Sequence, residues 1–188
     1  MTSSYERKKQ PELVRQALLD CAALIAAEAG PASVTLQAVA DAAGVTKGGL
    51  LHHYPSKQAL IDAVFDEVLA RLDQNINASL AKDGGSYGAF TRAYVDLSLR
   101  RDLKPATDPW SALSIFMLSD PAYRDRWRAW IVGRLERHGD TDADPALQVV
   151  RFAADGIWLA RLLYPEMIHD KKRLRADLMK LADKKARR

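Results

Sequence analysis

The sequence predicts an all-α protein on three observations. Apolar residues recur at helical spacing through almost every segment, no stretch alternates as a strand would, and glycines and prolines stand where helices should stop or start. It also predicts two parts: an N-terminal three-helix domain containing a helix-turn-helix, and a larger C-terminal helical bundle. At 188 residues, 48% hydrophobic and 28% charged, the chain can bury a substantial core and lacks the composition of a disordered one.

The first helix is expected after Pro11, with Val14, Ala17, Leu18, Cys21, Leu24 and Ile25 as its apolar stripe and Gly30-Pro31 as its stop. Cys21 on that stripe reads as core rather than nucleophile. A short second helix follows from Leu36, Val39, Ala40 and Ala43, with Thr35 as N-cap and Gly44 as a left-handed stop. After Val45, Thr46 can cap a third short helix, which Pro55 ends by disfavouring α geometry in the residue before it. Ser56 caps a longer fourth helix whose stripe, Leu60, Ala63, Val64, Val68 and Leu72, fades at Lys82-Asp83-Gly84-Gly85. Further helices are expected at about 86–102, 108–118, 121–138, 144–164 and 170–186, with Pro109, Pro121 and Pro145 near helix starts.

No apolar run approaches the roughly 20 residues that span a bilayer, and no apolar segment follows the charged N-terminus as in a signal peptide. A single cysteine cannot form an internal disulfide, and the cytoplasm is the expected compartment. The net charge of +4 owes much to the tail, Lys171-Lys172-Arg173-Leu174-Arg175 and Lys184-Lys185-Ala186-Arg187-Arg188. Such runs are solvated faces or frayed ends more often than DNA contacts.

The segment Thr35–Tyr54 has the layout of a helix-turn-helix. Ala40 and Ala43 are small enough for two helices to approach, Gly44 supplies the turn and Val45 plugs the space between them. The second helix, Thr46-Lys47-Gly48-Gly49-Leu50-Leu51-His52-His53-Tyr54, buries Leu50 and Tyr54 and offers its N-terminal end to phosphate. Two glycines cost a helix about 1 kcal/mol each relative to alanine, and close approach of the backbone to DNA explains them. His52 and His53 point in different directions and lack partners at metal-ligand spacing. They are either surface or structural histidines or DNA contacts.

The run from Thr35 to Leu60, with its Ala-Gly-Val turn, Lys-Gly pair, histidine-aromatic pair and following Ser-Lys-x-x-Leu, resembles the DNA-binding domain of TetR-family regulators over about residues 11–65. The resemblance implies that Thr35 caps its helix and touches phosphate, and that Thr46, Lys47, Gly48 and Gly49 lie at the groove. It implies contacts to backbone or base edges from His52 and His53, and a phosphate clamp at Lys57. Leu51 departs from the pattern, standing where the family commonly has a phosphate-reaching tyrosine. One polar contact is therefore missing, or replaced by apolar contact with a thymine methyl.

By the same resemblance, residues 1–56 form the DNA-binding domain and 57–188 a ligand-binding and dimerisation domain, with the last two long helices building a four-helix interface. Val149, Ala153, Ala154, Gly156, Ile157, Ala160 and Leu163 suit such an interface, and the run Ala154-Asp155-Gly156-Ile157-Trp158 resembles the family's interface helix. Tyr94, Trp110, Leu113, Phe116, Met117, Trp127 and Trp130 are candidate pocket lining, though an apolar stripe at this spacing is more often plain core. Expected partners are a palindromic double-stranded DNA operator, a second copy of the chain and a hydrophobic small-molecule effector that relieves repression; no membrane, cofactor or metal is expected.

An enzyme is the competing class. The sequence shows no nucleophile elbow, P-loop, dinucleotide fingerprint or metal cluster, and Asp155, an acid in an apolar helix, reads as an interface or capping group. A helical protein-interaction module without DNA binding is the remaining alternative.

Overall fold

The computed structural model describes residues 4–99 and 116–183, with side chains for all of these except 4–10 and 162. Among the described residues every regular element is helical. The chain divides into two compact units, Met1–Leu69 with Lys104–Arg124, and Ala70–Leu103 with Asp125–Arg188. The helix expected at 108–118 lies mostly outside the described residues, as do Trp110 and Leu113.

In the first unit, α1 (Ser4–Ala29) starts earlier than expected and carries Pro11 inside it. Its buried face is also rotated from the expected stripe: Leu18, Leu19, Ala22 and Ala26 are buried, while Leu24 is exposed. Small alanines carry little weight in a hydrophobic pattern, yet they let neighbouring helices approach closely, and close packing decides the face. A 3-10 turn (Pro31–Ser33), α2 (Leu36–Ala42) and α3 (Lys47–His53) follow. The helix α4 (Lys57–Asp83) contributes to both units. Ser56 Oγ accepts from the Ala59 N–H as its cap, and Leu60, Val64, Val68 and Leu72 are buried as the stripe predicts.

The second unit continues with α5 (Ala89–Ser98), most of α6 (Pro121–Arg137), a single turn at Gly139–Asp142, α7 (Pro145–Leu163), a 3-10 turn at Pro165–Met167 and α8 (Lys171–Leu181). Pro121 and Pro145 are each the first residue of their helix, where a missing N–H costs little. Asp144 and Asp170 cap α7 and α8, accepting from Ala146 and Arg173. Gly88 precedes α5 at φ +74°, and a Cβ there would lie 2.6 Å from the Ala182 carbonyl oxygen. Only glycine lets the end of α8 pass so close to the start of α5.

Candidate nucleic-acid interface

Local hydrogen bonds shape the helix-turn-helix. Thr35 Oγ1 accepts from the Ala38 N–H at 3.1 Å and begins α2. At the other end Gly44, at φ +66°, reverses the chain. Its N–H donates to the Asp41 carbonyl, and the Val45 N–H donates to that of Ala40. This pair of bonds satisfies the last free carbonyls of α2 and needs a left-handed residue at 44. Thr46 Oγ1 then accepts from the Gly49 N–H at 3.0 Å and begins α3, a contribution of about 1 kcal/mol.

Burial on α3 is one-sided, as the sequence predicts: Leu50 is fully buried and Tyr54 nearly so. The Tyr54 hydroxyl is buried without a hydrogen-bond partner among the described residues, the Arg15 guanidinium lies 5.9 Å from its ring centroid, and burial pushes its pKa up. Thr35, Thr46, Lys47, Gly48, Gly49, Leu51, His52 and Lys57 are all exposed, and His53 is half-buried with its ring edge-on to His52. The structure thus brings the predicted α3 residues together on one solvent-facing surface. Lys57 has internal work as well, since its Nζ donates to the Pro31 and Ala32 carbonyls at 3.4 Å each.

Neither α3 glycine has a left-handed φ. A Cβ at Gly48 would meet only Thr46 Oγ1, at 4.0 Å, so nothing within the described protein demands glycine there. At Gly49 a Cβ would come within 3.3 Å of the same capping oxygen.

The pocket candidates are distributed. Tyr94, Trp127 and Trp130 belong to the second unit, and Phe116 and Met117, both buried, to the first. Trp127 and Trp130 are half-buried and stacked, ring centroids 4.8 Å apart. Trp130 Nε1 donates to Asp73 Oδ1 at 2.6 Å, and the buried Arg134 donates to the same oxygen and to Asn77 Oδ1. Tyr94 is buried and donates its hydroxyl to Asp155 Oδ1. Burial holds the Asp155 carboxyl above the usual carboxylate range, although Tyr94 and Arg151 pull it down.

Beside them Asp142, on the turn before α7, accepts from the N–H groups of Phe90 and Thr91 and from the Thr91 hydroxyl. Arg151 Nη1 donates to that hydroxyl in turn, at 2.6 Å. Composition and spacing do not disclose this network, because its partners lie 50 to 60 residues apart in sequence. Burial also raises the Cys21 pKa, which keeps its thiol protonated. Among the described residues no three metal-ligating side chains come together.

The interface candidates lie on α7. Val149, Gly156 and Leu163 are exposed and Ala153, Ile157 and Ala160 half-buried, whereas Ala154 is buried in the chain's own core. Exposed Phe152 and Leu159 continue the stripe and are absent from the residues that the sequence pattern singles out. Their signal is present all the same, since α7 is apolar on both sides and such a helix is normally covered all round. The exposed side of α8, by contrast, includes Lys172, Arg173, Asp177 and Lys180.

Comparison with known proteins agrees with this architecture. Residues 18–64 match the family described as bacterial regulatory proteins, tetR family, and residues 88–183 match the tetracyclin repressor-like C-terminal domain. The chain belongs to the TetR family. Among relatives, it is 25% identical over 162 residues to the HTH-type transcriptional repressor KstR2 of Mycolicibacterium smegmatis, covering 80% of this chain and 79% of that one. KstR2 of Rhodococcus jostii is 44% identical over 50 residues, which span 27% of this chain and only 24% of that protein. Two solved structures share the fold. A TetR-family member from Streptomyces coelicolor has a TM-score of 0.68 at 21% identity, over 90% of this chain and 98% of that one. The multidrug binding protein EbrR in complex with malachite green has a TM-score of 0.67 at 20% identity, over 90% and 98%. As a TetR-family protein the chain is a DNA-binding transcription regulator, and no helix among its described residues is long and apolar enough to cross a membrane.

Proposed function

We propose that this TetR-family chain is a homodimeric repressor, acting in the cytoplasm without catalysis, whose operator binding is relieved by a hydrophobic small molecule. Residues 1–56 serve as the DNA-binding domain and 57–188 as the ligand-binding and dimerisation domain. One observation carries the reading: α3 is capped by Thr46 and seated on Leu50, and it leaves Lys47, Gly48, Gly49, Leu51 and His52 exposed. Glycine at 48, unexplained by any neighbour among the described residues, lets a groove wall approach the backbone. Thr35, Thr46, His53 and Lys57 complete the contact surface.

Two such helices on a dimer would enter successive major grooves about 34–36 Å apart on a palindromic site. The apolar side of α7, from Val149 through Phe152, Gly156 and Leu159 to Leu163, supports a second copy as its cover. The KstR2 relatives support repression as the direction. The half-buried Trp127–Trp130 stack supports an apolar or aromatic effector, and EbrR, which shares the fold, is a multidrug binding protein found in complex with malachite green. Relief requires that the effector bind the DNA-free state more tightly, since equal affinity shifts nothing.

The test is salt-dependent binding to an operator selected from random duplexes, with Lys47→Ala beside the unmodified protein. The slope of log affinity against log salt should flatten by about 0.9 for each phosphate that the variant no longer neutralises. Binding that ignores sequence, salt and Lys47 would reject the reading and return the protein-interaction alternative.

A further inference from the structure

We infer that Leu51 is a base-reading residue, and that each operator half-site holds one thymine whose C5-methyl packs against it. This inference rests on the DNA-binding reading and specifies what that site recognises.

The two adjacent leucines of α3 have opposite surroundings. Leu50 is fully buried and seats the helix, whereas Leu51 is 38% exposed. With α3 resting on Leu50 and Tyr54, a turn of about 100° per residue places Gly48 and His52 outward and Leu51 at the edge of that side, between Gly48 and the buried Tyr54. A helical side chain leans over the turn N-terminal to its own Cα. Leu51 therefore reaches toward the turn holding Lys47 and Gly48, and Gly48 contributes no side chain there. A Cβ at 48 would have open space around it, with Thr46 Oγ1 nearest at 4.0 Å. The leucine methyls consequently stand out beside a bare stretch of backbone.

Leucine has no donor for a phosphate oxygen, so this position contributes nothing to the sequence-independent part of binding. In the major groove the distinctive apolar feature is the thymine methyl, which cytosine, guanine and adenine lack. An exposed leucine at the edge of the outward side of a groove-entering helix matches that feature and no other base edge.

The experiment replaces the thymines of a selected operator one position at a time with deoxyuridine, which removes only the methyl, and follows affinity by fluorescence anisotropy. For the unmodified protein, one position per half-site should cost about four-fold in affinity, the worth of one buried methyl group. Leu51→Ala should lose affinity for the thymine operator, become indifferent to uracil at that position, and keep the salt slope. Operator binding with no uracil-sensitive position, or a sensitivity that survives Leu51→Ala, would overturn the inference and leave the DNA-binding reading intact. Failure to select any operator would reject that reading and this inference with it. The uracil scan of the unmodified protein needs no variant, so a folding defect in Leu51→Ala cannot mask the answer.

Discussion

The outward side of α3 and the seam between α5 and α7 both carry polar and charged residues, but they dispose of them in opposite ways. On α3, Lys47 and His52 project into solvent, and side-chain hydrogen bonding there serves mainly to start the helix, through Thr46. At the seam, Asp142, Thr91, Arg151, Tyr94 and Asp155 are largely buried and bonded to one another. The first arrangement keeps polar groups available to an outside partner. The second consumes them in holding two helices together. A polar residue type is thus evidence of function only where the fold leaves its hydrogen-bonding capacity unspent.

The largest expected effect breaks the seam. Asp142→Ala strands the Phe90 and Thr91 N–H groups and leaves the buried Arg151 without its carboxylate. Urea denaturation should show a loss of about 3–5 kcal/mol, the cost of removing one partner of a buried pair. A loss below about 1 kcal/mol would mean that the seam is wet and its polar groups as free as those of α3.

An intermediate effect separates stability from recognition on α3 itself. Gly48→Ala meets no obstacle among the described residues and should raise stability by about 1 kcal/mol through helix propensity. Operator affinity should fall, because the added methyl stands between the backbone and the groove. Unchanged affinity in an anisotropy titration would show that the backbone does not approach DNA at this point.

The smallest effect concerns a polar group beneath α3 that is neither exposed nor bonded among the described residues. Tyr54→Phe removes the buried Tyr54 hydroxyl and should leave stability unchanged or raise it by up to about 1 kcal/mol, since no hydrogen bond is lost. A clear drop in thermal midpoint would place that hydroxyl in the satisfied class with the seam.

The same contrast governs what the sequence discloses. The caps Thr35, Thr46 and Ser56, the turn at Gly44 and the buried pair Leu50 and Tyr54 are legible because each depends on residues within a few positions of itself. The seam is not, since Thr91 must find Asp142 and Arg151 across a distance in sequence that periodicity does not measure. The rotated face of α1 escapes the pattern for a different reason. Ala22 and Ala26 are weak hydrophobes that win their place by size, while Leu24 loses it. On α7 the pattern is plainly apolar, but one chain offers no sign of which side its own core covers. Phe152 therefore looks like any buried phenylalanine.

The two glycines of α3 are not equally open to change. Position 48 stands clear, whereas a side chain at 49 would press on the Thr46 oxygen that starts the helix. A lineage or a designer re-aiming this protein at a new target sequence has one position that varies alone and a second that is tied to residue 46. Drift toward new specificity should therefore pass through 48 first, and through 46 and 49 only as a pair.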